Sequence, residues 1–273
     1  MSKVPAHYAG DGALIDAIAD GLRKAGVDRE QIEPSDLSAV DEFHIRGRKA
    51  TLALAESMRL RPTSRVLDIG SGLGGPARTL AEVYGCHVTG VDLTRDYCQA
   101  ATVLTDRVGL ADRAEFRLAD ATDLPFPEAT FDAAMTIHAA MNIPAKDRMY
   151  AEARRVVKPG GVFAVYDVLQ AEGGEVYYPV PWARESSISH LATRAEMISI
   201  LGGAGFRVER VEDSSDESLA WFEQMARRIA EHGRSPLSPH LLLGDDYPAM
   251  MRNQIRSLAE RRIRTLTLIC EAL

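Results

Sequence analysis

The sequence predicts an α/β fold with a doubly wound parallel sheet, and three observations support this fold class. Between residues 65 and 169, short apolar segments of strand length alternate with segments of helical periodicity, as in parallel strands joined by helices. A glycine-rich loop at residues 68–75, DIGSGLGG, follows the first of these strands. The chain of 273 residues is 46% hydrophobic and 26% charged, which is ordinary for a globular protein. A chain of this length can bury a core without metals or disulfides.

The first part of the chain, residues 1–60, is predicted to be a helical cap segment ahead of a main domain at 61–273. Residues 11–26 repeat apolar side chains at helical spacing, and Asp11 is a suitable N-cap for this helix. A second helix is predicted at residues 48–60, just before a proline that stops it.

Strands and helices then alternate in a regular order. The strands are predicted at residues 65–70, 87–93, 114–120, 131–138 and 162–169, with the turn KPGG at 158–161 before the last one. The helices are predicted at residues 76–84, 95–109 and 145–157. Right-handed crossovers place the loops that follow parallel strands along one edge of the sheet, and ligands bind at that edge in such folds.

The regular pattern ends after residue 169. Residues 170–192 are rich in Gly, Pro and aromatic residues; they look too polar and irregular for a core element and are predicted to form a lid. A second lid insertion is predicted near residues 214–250. Thr193 and Glu196 have the spacing of a capping box at a helix start. The remaining elements are predicted as a strand at 206–213, a helix at about 217–231, a last helix and a strand at 263–273.

Charge and composition restrict the classes of function. The formal net charge is -7, whereas nucleic-acid binders usually carry a basic patch, so a small-molecule substrate is favoured over a nucleic acid. Cys86, Cys98 and Cys270 give no disulfide framework and no zinc motif, and burial is their expected role. The chain shows no signal peptide and no apolar run of membrane length. A cytoplasmic protein without membrane insertion is predicted, and a homodimer is compatible with the sequence.

The glycine loop fits two kinds of nucleotide site. Gly70, Gly72 and Gly75 have the spacing GxGxxG between a strand and a helix, where glycines let the backbone turn sharply and approach a ligand. A dinucleotide oxidoreductase is therefore a rival interpretation. Asp68 favours another ligand, because a carboxylate beside the loop would repel a pyrophosphate but attract the ammonium and sulfonium groups of S-adenosylmethionine. The structural alternative for Asp68 is a strand-end residue that accepts hydrogen bonds from loop amides.

Two further carboxylates are predicted at the same edge of the sheet. Asp92 follows the second strand and can accept hydrogen bonds from both ribose hydroxyls, although it can equally be a turn residue. Asp120 ends the third strand, where its side chain can reach an adenine amino group. The residues LPF at 124–126 can wall the adenine ring, and the alternative is an ordinary turn with a buried Phe126.

Taken together, these segments resemble the class I S-adenosylmethionine-dependent methyltransferases. The resemblance rests on VLDIGSGLGG at 66–75, VDLT at 91–94, LADATDLPF at 118–126, FDAA at 131–134 and RVVKPGG at 155–161. It covers residues 65–212. Within these enzymes the chain resembles the small-molecule group, which includes the methyltransferases of sarcosine and dimethylglycine, of tocopherol, of ubiquinone or menaquinone, and the sugar O-methyltransferases. The segment DEFHIRGRKAT at 41–51 resembles the stretch before the first motif in that group, but Arg48 stands where a second glycine is usual.

The resemblance implies a fold, a cofactor and a set of contacts. The implied fold is a Rossmann-like sheet of seven strands, mostly parallel, whose last strand at 263–273 is antiparallel. The implied cofactor is S-adenosyl-L-methionine, with S-adenosyl-L-homocysteine as product and a small molecule as methyl acceptor. The implied contacts are Asp68, Gly70 and Gly72 for the methionine part, Asp92 with Leu93 for the ribose, Asp120 and Ala121 for the adenine, and Ile137 and His138 beside the methyl donor.

Two side chains are candidates for catalysis, and neither suggests a metal site. His138 is predicted to follow the fourth strand and can act as a general base, since histidine titrates near neutral pH; the alternative is a residue that only packs against the cofactor. Asp167 is predicted to end the fifth strand, where it can orient an acceptor hydroxyl or amine. The alternative for Asp167 is that it satisfies loop amides.

Three functional hypotheses follow from the sequence. The first is transfer of a methyl group to a nitrogen, oxygen or carbon atom of a small molecule, by a displacement that needs alignment and exclusion of water. The second is an oxidoreductase that binds NAD or FAD. The third is a non-catalytic protein that binds S-adenosylmethionine, because the chemistry requires few indispensable side chains.

Overall fold

The computed structural model describes residues 14–27 and 32–273; Asp11, the predicted N-cap, lies outside the described residues. The helices are α1 (Leu14–Lys24), α2 (Pro34–Asp41), α3 (Arg48–Glu56), α4 (Gly75–Tyr84), α5 (Arg95–Arg107), α6 (Lys146–Val156), α7 (Arg194–Gly203), α8 (Ser215–His232), α9 (His240–Leu243) and α10 (Tyr247–Ala259). The strands are β1 (Arg65–Ile69), β2 (His87–Asp92), β3 (Ala114–Leu118), β4 (Phe131–Ile137), β5 (Val157–Gln170), β6 (Phe206–Asp213) and β7 (Ile263–Ala272).

The seven strands form one sheet in the order β3-β2-β1-β4-β5-β7-β6. Strands β1 to β5 pair in parallel, whereas β7 runs antiparallel to both β5 and β6. The predicted seven-stranded sheet with an antiparallel last strand is confirmed. The chain moves outwards from β1 to β3 and then returns to β4, so a crevice opens between the carboxyl ends of β1 and β4.

Alternate side chains of the central strands enter two different cores, as the pleat of a strand requires. Leu67 and Val165 belong to the core beneath α6 and α7. Val66 and Tyr166 belong to the core beneath α3 and α4. Neighbouring residues on one strand therefore face opposite sides of the sheet, and this alternation decides which of the predicted site residues can meet.

Several element boundaries differ from the predictions. Strand β5 begins at Val157, because the predicted turn KPGG is a bulge in a strand that already pairs Val157 with Phe131. The helix predicted at 48–60 ends at Glu56, and Arg59 has a φ of 53°, a left-handed conformation that no α-helix continues. Helix α2 was not predicted as a separate element, since eight residues are too few to show a helical period.

The segment 170–192 differs most from its prediction. It is irregular, as predicted, but Val180 and Trp182 are only 0% and 1% exposed. They pack with Phe222 of α8 and Leu258 of α10, and the Trp182 indole donates to Ser189 Oγ at 2.9 Å. The interpretation that this segment is too polar for a core is wrong, because its apolar residues meet in one cluster without any periodic spacing.

Other local predictions are confirmed. The Thr193 hydroxyl accepts from the Glu196 amide, and the Glu196 carboxylate accepts from the Thr193 amide, which is the predicted capping box. Cys86, Cys98 and Cys270 are all buried and unbonded to each other. Among the helices that the structure describes, none combines the length and apolarity needed to cross a bilayer.

Candidate active site

The glycine loop lies against the end of β4. Gly70 and Gly72 have φ values of 81° and 53°, which glycine adopts without strain. A Cβ at Gly70 would overlap the Ala139 side chain, whereas the Cβ position at Gly72 has no described atom within 4 Å and faces open space. The Val91 carbonyl accepts from the amides of Gly70 and Ser71 at 2.8 and 3.0 Å. The sequence-predicted loop is therefore a fixed turn with an open side toward the crevice.

The third glycine and Arg78 connect this loop to helix α2. A Cβ at Gly75 would overlap the backbone of Asp41, the last residue of α2. Arg78 is 0% exposed and donates to the Asp41 carboxylate and to the Leu73 carbonyl, both at 2.6 Å. The loop conformation thus depends on the docking of the N-terminal segment. Sequence reasoning missed this pair, and the only available signal was an arginine on the inner face of a short helix.

Asp68 is the next-to-last residue of β1, and one oxygen of its buried carboxyl group is unsatisfied among the described residues. The residue is 1% exposed, and its Oδ2 has no hydrogen-bond partner among the described residues. Burial, together with the carboxyl groups of Glu42 and Asp92, raises the pKa of Asp68 to about 8. A buried polar atom without a partner is costly, and a cationic ligand group at this point would satisfy it. If the role of Asp68 were to accept hydrogen bonds from loop amides, both of its oxygens would have such partners, but Oδ2 has none among the described residues.

Asp92 lies at the carboxyl end of β2, and its side chain accepts hydrogen bonds from the loops around it. Its Oδ2 accepts from the Gly72 amide at 2.9 Å, and its Oδ1 accepts from the Thr94 amide at 2.8 Å. Burial raises its pKa, which these hydrogen bonds oppose. Each carboxylate oxygen has a second lone pair, so both can still accept from a diol. Leu93 beside it is 44% exposed and offers an apolar surface.

The segment after β3 behaves only partly as predicted. Asp120 is exposed, and its Oδ1 accepts from the amide and the hydroxyl of Thr122, both at 2.8 Å; Ala121 follows it, half-buried. Leu124 and Phe126 are 4% and 8% exposed and belong to the core beneath α6. The predicted adenine wall is therefore largely core, and the turn with a buried Phe126 is the correct description of that residue.

His138 follows β4 directly beside the glycine loop. Ile137 before it is 7% exposed, and His138 itself has a φ of 48°, which non-glycine residues rarely adopt. The backbone amide of His138 donates to the Tyr166 carbonyl at 2.8 Å, but its Nε2 is buried and has no hydrogen-bond partner in the part of the chain that the structure describes. Burial, with a contribution from His44, holds the pKa of His138 well below its usual range.

Asp167 lies near the end of β5, as predicted, but its side chain is on the opposite face of the sheet from that of Tyr166, whose ring packs against His138. Strand β5 continues to Gln170, and Asp167 is 1% exposed. It shares the α6 face of the sheet with Val165, because side chains alternate along a strand. Burial raises its pKa to about 7, which Lys146 and nearby backbone amides oppose. Its Oδ1 accepts from the Val168 amide at 3.0 Å, whereas its Oδ2 is buried without a hydrogen-bond partner among the described residues, so the alternative role of satisfying backbone amides describes only one of its two oxygens.

A second histidine, which the sequence analysis left without a role, lies on the same side as His138. The ring centroids of His44 and His138 are 5.9 Å apart, and the rings of His138 and Tyr166 are 4.9 Å apart. Glu42, with 5% exposure, lies beside His44. The shape of the segment between α2 and α3 brings these residues over the crevice, and the available sequence signal for it was the resemblance of residues 41–51 to the stretch before the first motif.

The arrangement is suited to a ligand with a cationic end. Glu42, Asp68 and Asp92 bring three carboxyl groups within electrostatic range of one another, as the raised pKa of Asp68 indicates. A pyrophosphate would be repelled by such a cluster, whereas an ammonium or sulfonium would be attracted. The residues therefore fit S-adenosylmethionine better than a dinucleotide.

Comparison with known proteins agrees with this chemistry. A family model described as a methyltransferase domain matches residues 67–165. A sterol 24-C-methyltransferase of Gibberella zeae is 39% identical over 119 residues, which are 44% of this chain and 31% of that protein. Another from the same organism is 32% identical over 186 residues, which are 64% of this chain and 48% of that protein. The chain thus spans about half or less of the length of these curated relatives.

Solved structures match most of the chain. Phosphoethanolamine N-methyltransferase 2 of Haemonchus contortus has a TM-score of 0.73 at 19% identity and covers 93% of this chain and 59% of its own. Geranyl diphosphate C-methyltransferase of Streptomyces coelicolor has a TM-score of 0.68 at 18% identity, with 97% and 99% covered. A cyclase has a TM-score of 0.65 at 22% identity, with 95% and 94% covered. At these identities the likeness concerns the fold.

The domain match, the curated relatives and the sheet order agree with the motifs and with the geometry of the glycine loop. Residues 67–165 therefore match a methyltransferase domain, and the chain has the fold of the methyltransferases among these solved structures.

Proposed function

We propose that this protein transfers a methyl group from S-adenosyl-L-methionine to a small molecule and releases S-adenosyl-L-homocysteine. The observation that carries the proposal is the buried Oδ2 of Asp68 beside the glycine loop, which no described residue contacts by a hydrogen bond. A carboxylate in that position supports recognition of the ammonium group of the cofactor. The sterol methyltransferases among its relatives support transfer to a small organic acceptor, although fold and family do not decide among nitrogen, oxygen and carbon nucleophiles.

Each predicted cofactor residue has a contact that its geometry supports. Asp68, with the open backbone at Gly70 and Gly72, would hold the methionine part. The second lone pairs of Asp92 would accept from the ribose hydroxyls, with Leu93 beside the sugar. Asp120 and Ala121 would face the adenine, and Ile137 and His138 would line the methyl end. When bound, the cofactor supplies an activated methyl group on a sulfonium, and the protein need only align the acceptor and exclude water.

Exclusion of water is the proposed role of the segments beyond β5. Residues 170–192 and 214–250 would form the lid, and the buried cluster around Trp182 supports a closed position for it. Closure of such segments commonly protects a reaction from solvent. Asp167 remains a proposed orienting residue for the methyl acceptor. It would act from a distance, because it is buried on the opposite face of the sheet.

The first experiment tests the cofactor. Isothermal titration should show that S-adenosyl-L-homocysteine binds and that NAD and FAD do not. Asp68→Asn should weaken this binding by about 10- to 100-fold, because a hydrogen bond to a charged group contributes about 1.5–3 kcal/mol. Asp112→Asn, at a side chain that is 76% exposed, is the matched control and should leave the affinity unchanged. Equal affinities for the two variants would remove the main support of the proposal.

The second experiment tests turnover. Incubation of the protein with a metabolite extract and isotope-labelled S-adenosylmethionine should give a labelled product by mass spectrometry. Tight binding of S-adenosyl-L-homocysteine with no labelled product across diverse extracts would favour the non-catalytic hypothesis. Asp92→Asn, which keeps one acceptor oxygen, should weaken cofactor binding; unchanged affinity would contradict the ribose assignment.

Three organisational predictions also stand as proposals. The division into a cap segment at 1–60 and a domain at 61–273 is supported by the contact of α2 with the glycine loop, and limited proteolysis with mass spectrometry would test it. A homodimer would be tested by sedimentation equilibrium. A cytoplasmic location would be tested by fractionation of cells that express the chain at its native level.

A further inference from the structure

His44 is held by a chain of hydrogen bonds that ends on a buried carboxyl group. Its side chain is 3% exposed, and that of Glu42 is 1% exposed. The Nε2 atom of His44 lies 3.0 Å from the Gly47 carbonyl and 3.2 Å from Thr51 Oγ1. The Thr51 hydroxyl in turn donates to Glu42 Oε2 at 2.6 Å. A second hydroxyl, from Thr79, donates to Glu42 Oε1 at 2.6 Å.

These contacts determine which nitrogen of His44 carries the proton. A carbonyl oxygen can only accept a hydrogen bond, so the contact with Gly47 requires a proton on Nε2. The Thr51 hydroxyl has already given its proton to Glu42, so it too accepts from Nε2. In the neutral ring the other nitrogen, Nδ1, must then be an acceptor, and no hydrogen bond to it is found among the described residues. Burial lowers the pKa of His44 to about 4, which keeps the ring neutral at pH 7.

His138 lacks this support. Its Nε2 has no partner among the described residues, so nothing fixes its tautomer. The neighbouring His44 disfavours a charge on its ring. A base needs a group that orients it and stabilises its protonated form. Of the two histidines beside the crevice, only His44 has such a group, namely Glu42 acting through Thr51.

We infer that His44, rather than His138, accepts the proton of the methyl acceptor, and that Glu42 and Thr51 are its positioning residues. The inference rests on the proposed function. The N–H, O–H or C–H bond of the acceptor breaks, its proton goes to Nδ1 of His44, and the acceptor forms the new bond to the methyl carbon. The carbon–sulfur bond breaks, and its electron pair stays on sulfur. The imidazolium then donates through Nε2 toward Thr51 and Glu42, and His138 with Tyr166 forms the wall of the acceptor pocket.

The charges around the ring agree with this assignment. Glu42 and Asp41 precede His44 on its own segment, while His138 and Tyr166 face it from the ends of β4 and within β5. The Glu42 carboxyl has a pKa raised by burial, which the hydroxyls of Thr51 and Thr79 and two nearby arginines oppose. Donors on both oxygens of Glu42 favour its anionic form, which is the form that stabilises a protonated His44.

The tautomer of His44 can be measured without knowledge of the acceptor. Long-range ¹H–¹⁵N spectra of histidine-labelled protein bound to S-adenosyl-L-homocysteine should show a proton on Nε2 and a bare Nδ1 at neutral pH, with the signal assigned by its loss in His44→Gln. Thr51→Val should alter that signal, and Thr51→Ser should restore it. A proton on Nδ1 in the wild-type complex would overturn the inference.

The same variants separate the base from a structural residue. Glutamine at 44 can keep a donor toward Gly47 but has no basic nitrogen, so His44→Gln should lower kcat with the metabolite extract by about 10²- to 10⁴-fold. Its affinity for S-adenosyl-L-homocysteine should stay within about twofold, as should that of the exposed control His87→Gln. His138→Asn should mainly raise KM. A His44→Gln enzyme with the kcat of the control, or loss of kcat only in His138→Asn, would overturn the inference. Failure of the wild type to bind the cofactor would instead reject the proposed function.

Discussion

Two parts of the molecule, the glycine-loop half and the half that covers it, are stabilised internally by different forces. In the first, residues 65–165, the loop is fixed by backbone hydrogen bonds, by glycines in close contact and by one buried ion pair beneath it. In the second, residues 170–192 pack on α8 and α10 through an irregular apolar cluster. An aromatic contact adds to it, since Arg256 and Arg262 each lie 4.0 Å from the Tyr177 ring centroid.

This difference suggests how each half can vary. A loop whose backbone closely approaches one particular ligand requires glycines and carboxylates at fixed positions. An apolar cluster requires only suitable volume, so the cover can change with the acceptor while the loop stays constant. We therefore expect substitutions in the first half to affect cofactor binding, and substitutions in the second to affect stability or acceptor choice alone.

The largest effect is expected at the buried ion pair. Arg78→Met removes the partner of Asp41 and leaves a buried carboxyl uncompensated, which should lower the free energy of unfolding by about 3–5 kcal/mol. Urea denaturation monitored by circular dichroism would measure it. Cofactor affinity should fall as well, because Arg78 also holds the Leu73 carbonyl. Arg107→Met, at an exposed position, is the control and should change stability by less than about 0.5 kcal/mol; an equal loss in both would contradict the role of the pair.

A smaller effect is expected in the cover. Trp182→Phe leaves Ser189 Oγ without its donor and opens a small cavity, which should cost about 1–3 kcal/mol. The half-buried Trp221→Phe should cost less. Thermal unfolding would rank the two variants, and titration should show S-adenosyl-L-homocysteine affinity within about twofold of the wild type. A large loss of affinity in Trp182→Phe would show that the two halves are coupled.

The pH dependence of the first half follows from Asp68. Its pKa is raised to about 8 in the folded protein, so without ligand it contributes stability that is lost as pH rises from the unfolded value, about 4, toward 8. A cationic ligand needs the carboxylate, so affinity for S-adenosyl-L-homocysteine should rise between about pH 6 and pH 8, by at most about tenfold per pH unit. Titration calorimetry at several pH values would measure this slope. Asp68→Asn should flatten it, and an unchanged slope in that variant would assign the effect to another group.

The smallest effect is expected at Tyr177. Tyr177→Leu removes the ring between the two arginines and should lower stability by about 0.5–1 kcal/mol per cation–π contact. Tyr177→Phe keeps the ring and loses the hydroxyl, which donates to Glu260 and accepts from Arg262, so its melting temperature should lie closer to the wild type. Identical melting temperatures for the leucine variant and the wild type would mean that these contacts do not fasten the cover.

Local sequence patterns predicted those helices and strands whose apolar residues recur at helical or strand spacing. The strand-helix alternation, the capping box at Thr193 and the glycine loop all depend on residues close in sequence, and the structure agrees with them. The prediction failed where the deciding contact is distant. Residues 170–192 were interpreted as too polar for a core because the partners of their apolar side chains lie some forty to eighty residues away.

The sheet, the glycine loop and the carboxylates at the strand ends could be predicted from the sequence, since a strand's end and a glycine's freedom are local properties. Only the tertiary structure decided which of those groups meet. Strand alternation places Asp167 and Tyr166 on opposite faces of the sheet, and the docking of α2 through Asp41 and Arg78 brings His44 beside His138. Burial, another property of the whole fold, leaves Oδ2 of Asp68 without a hydrogen-bond partner among the described residues.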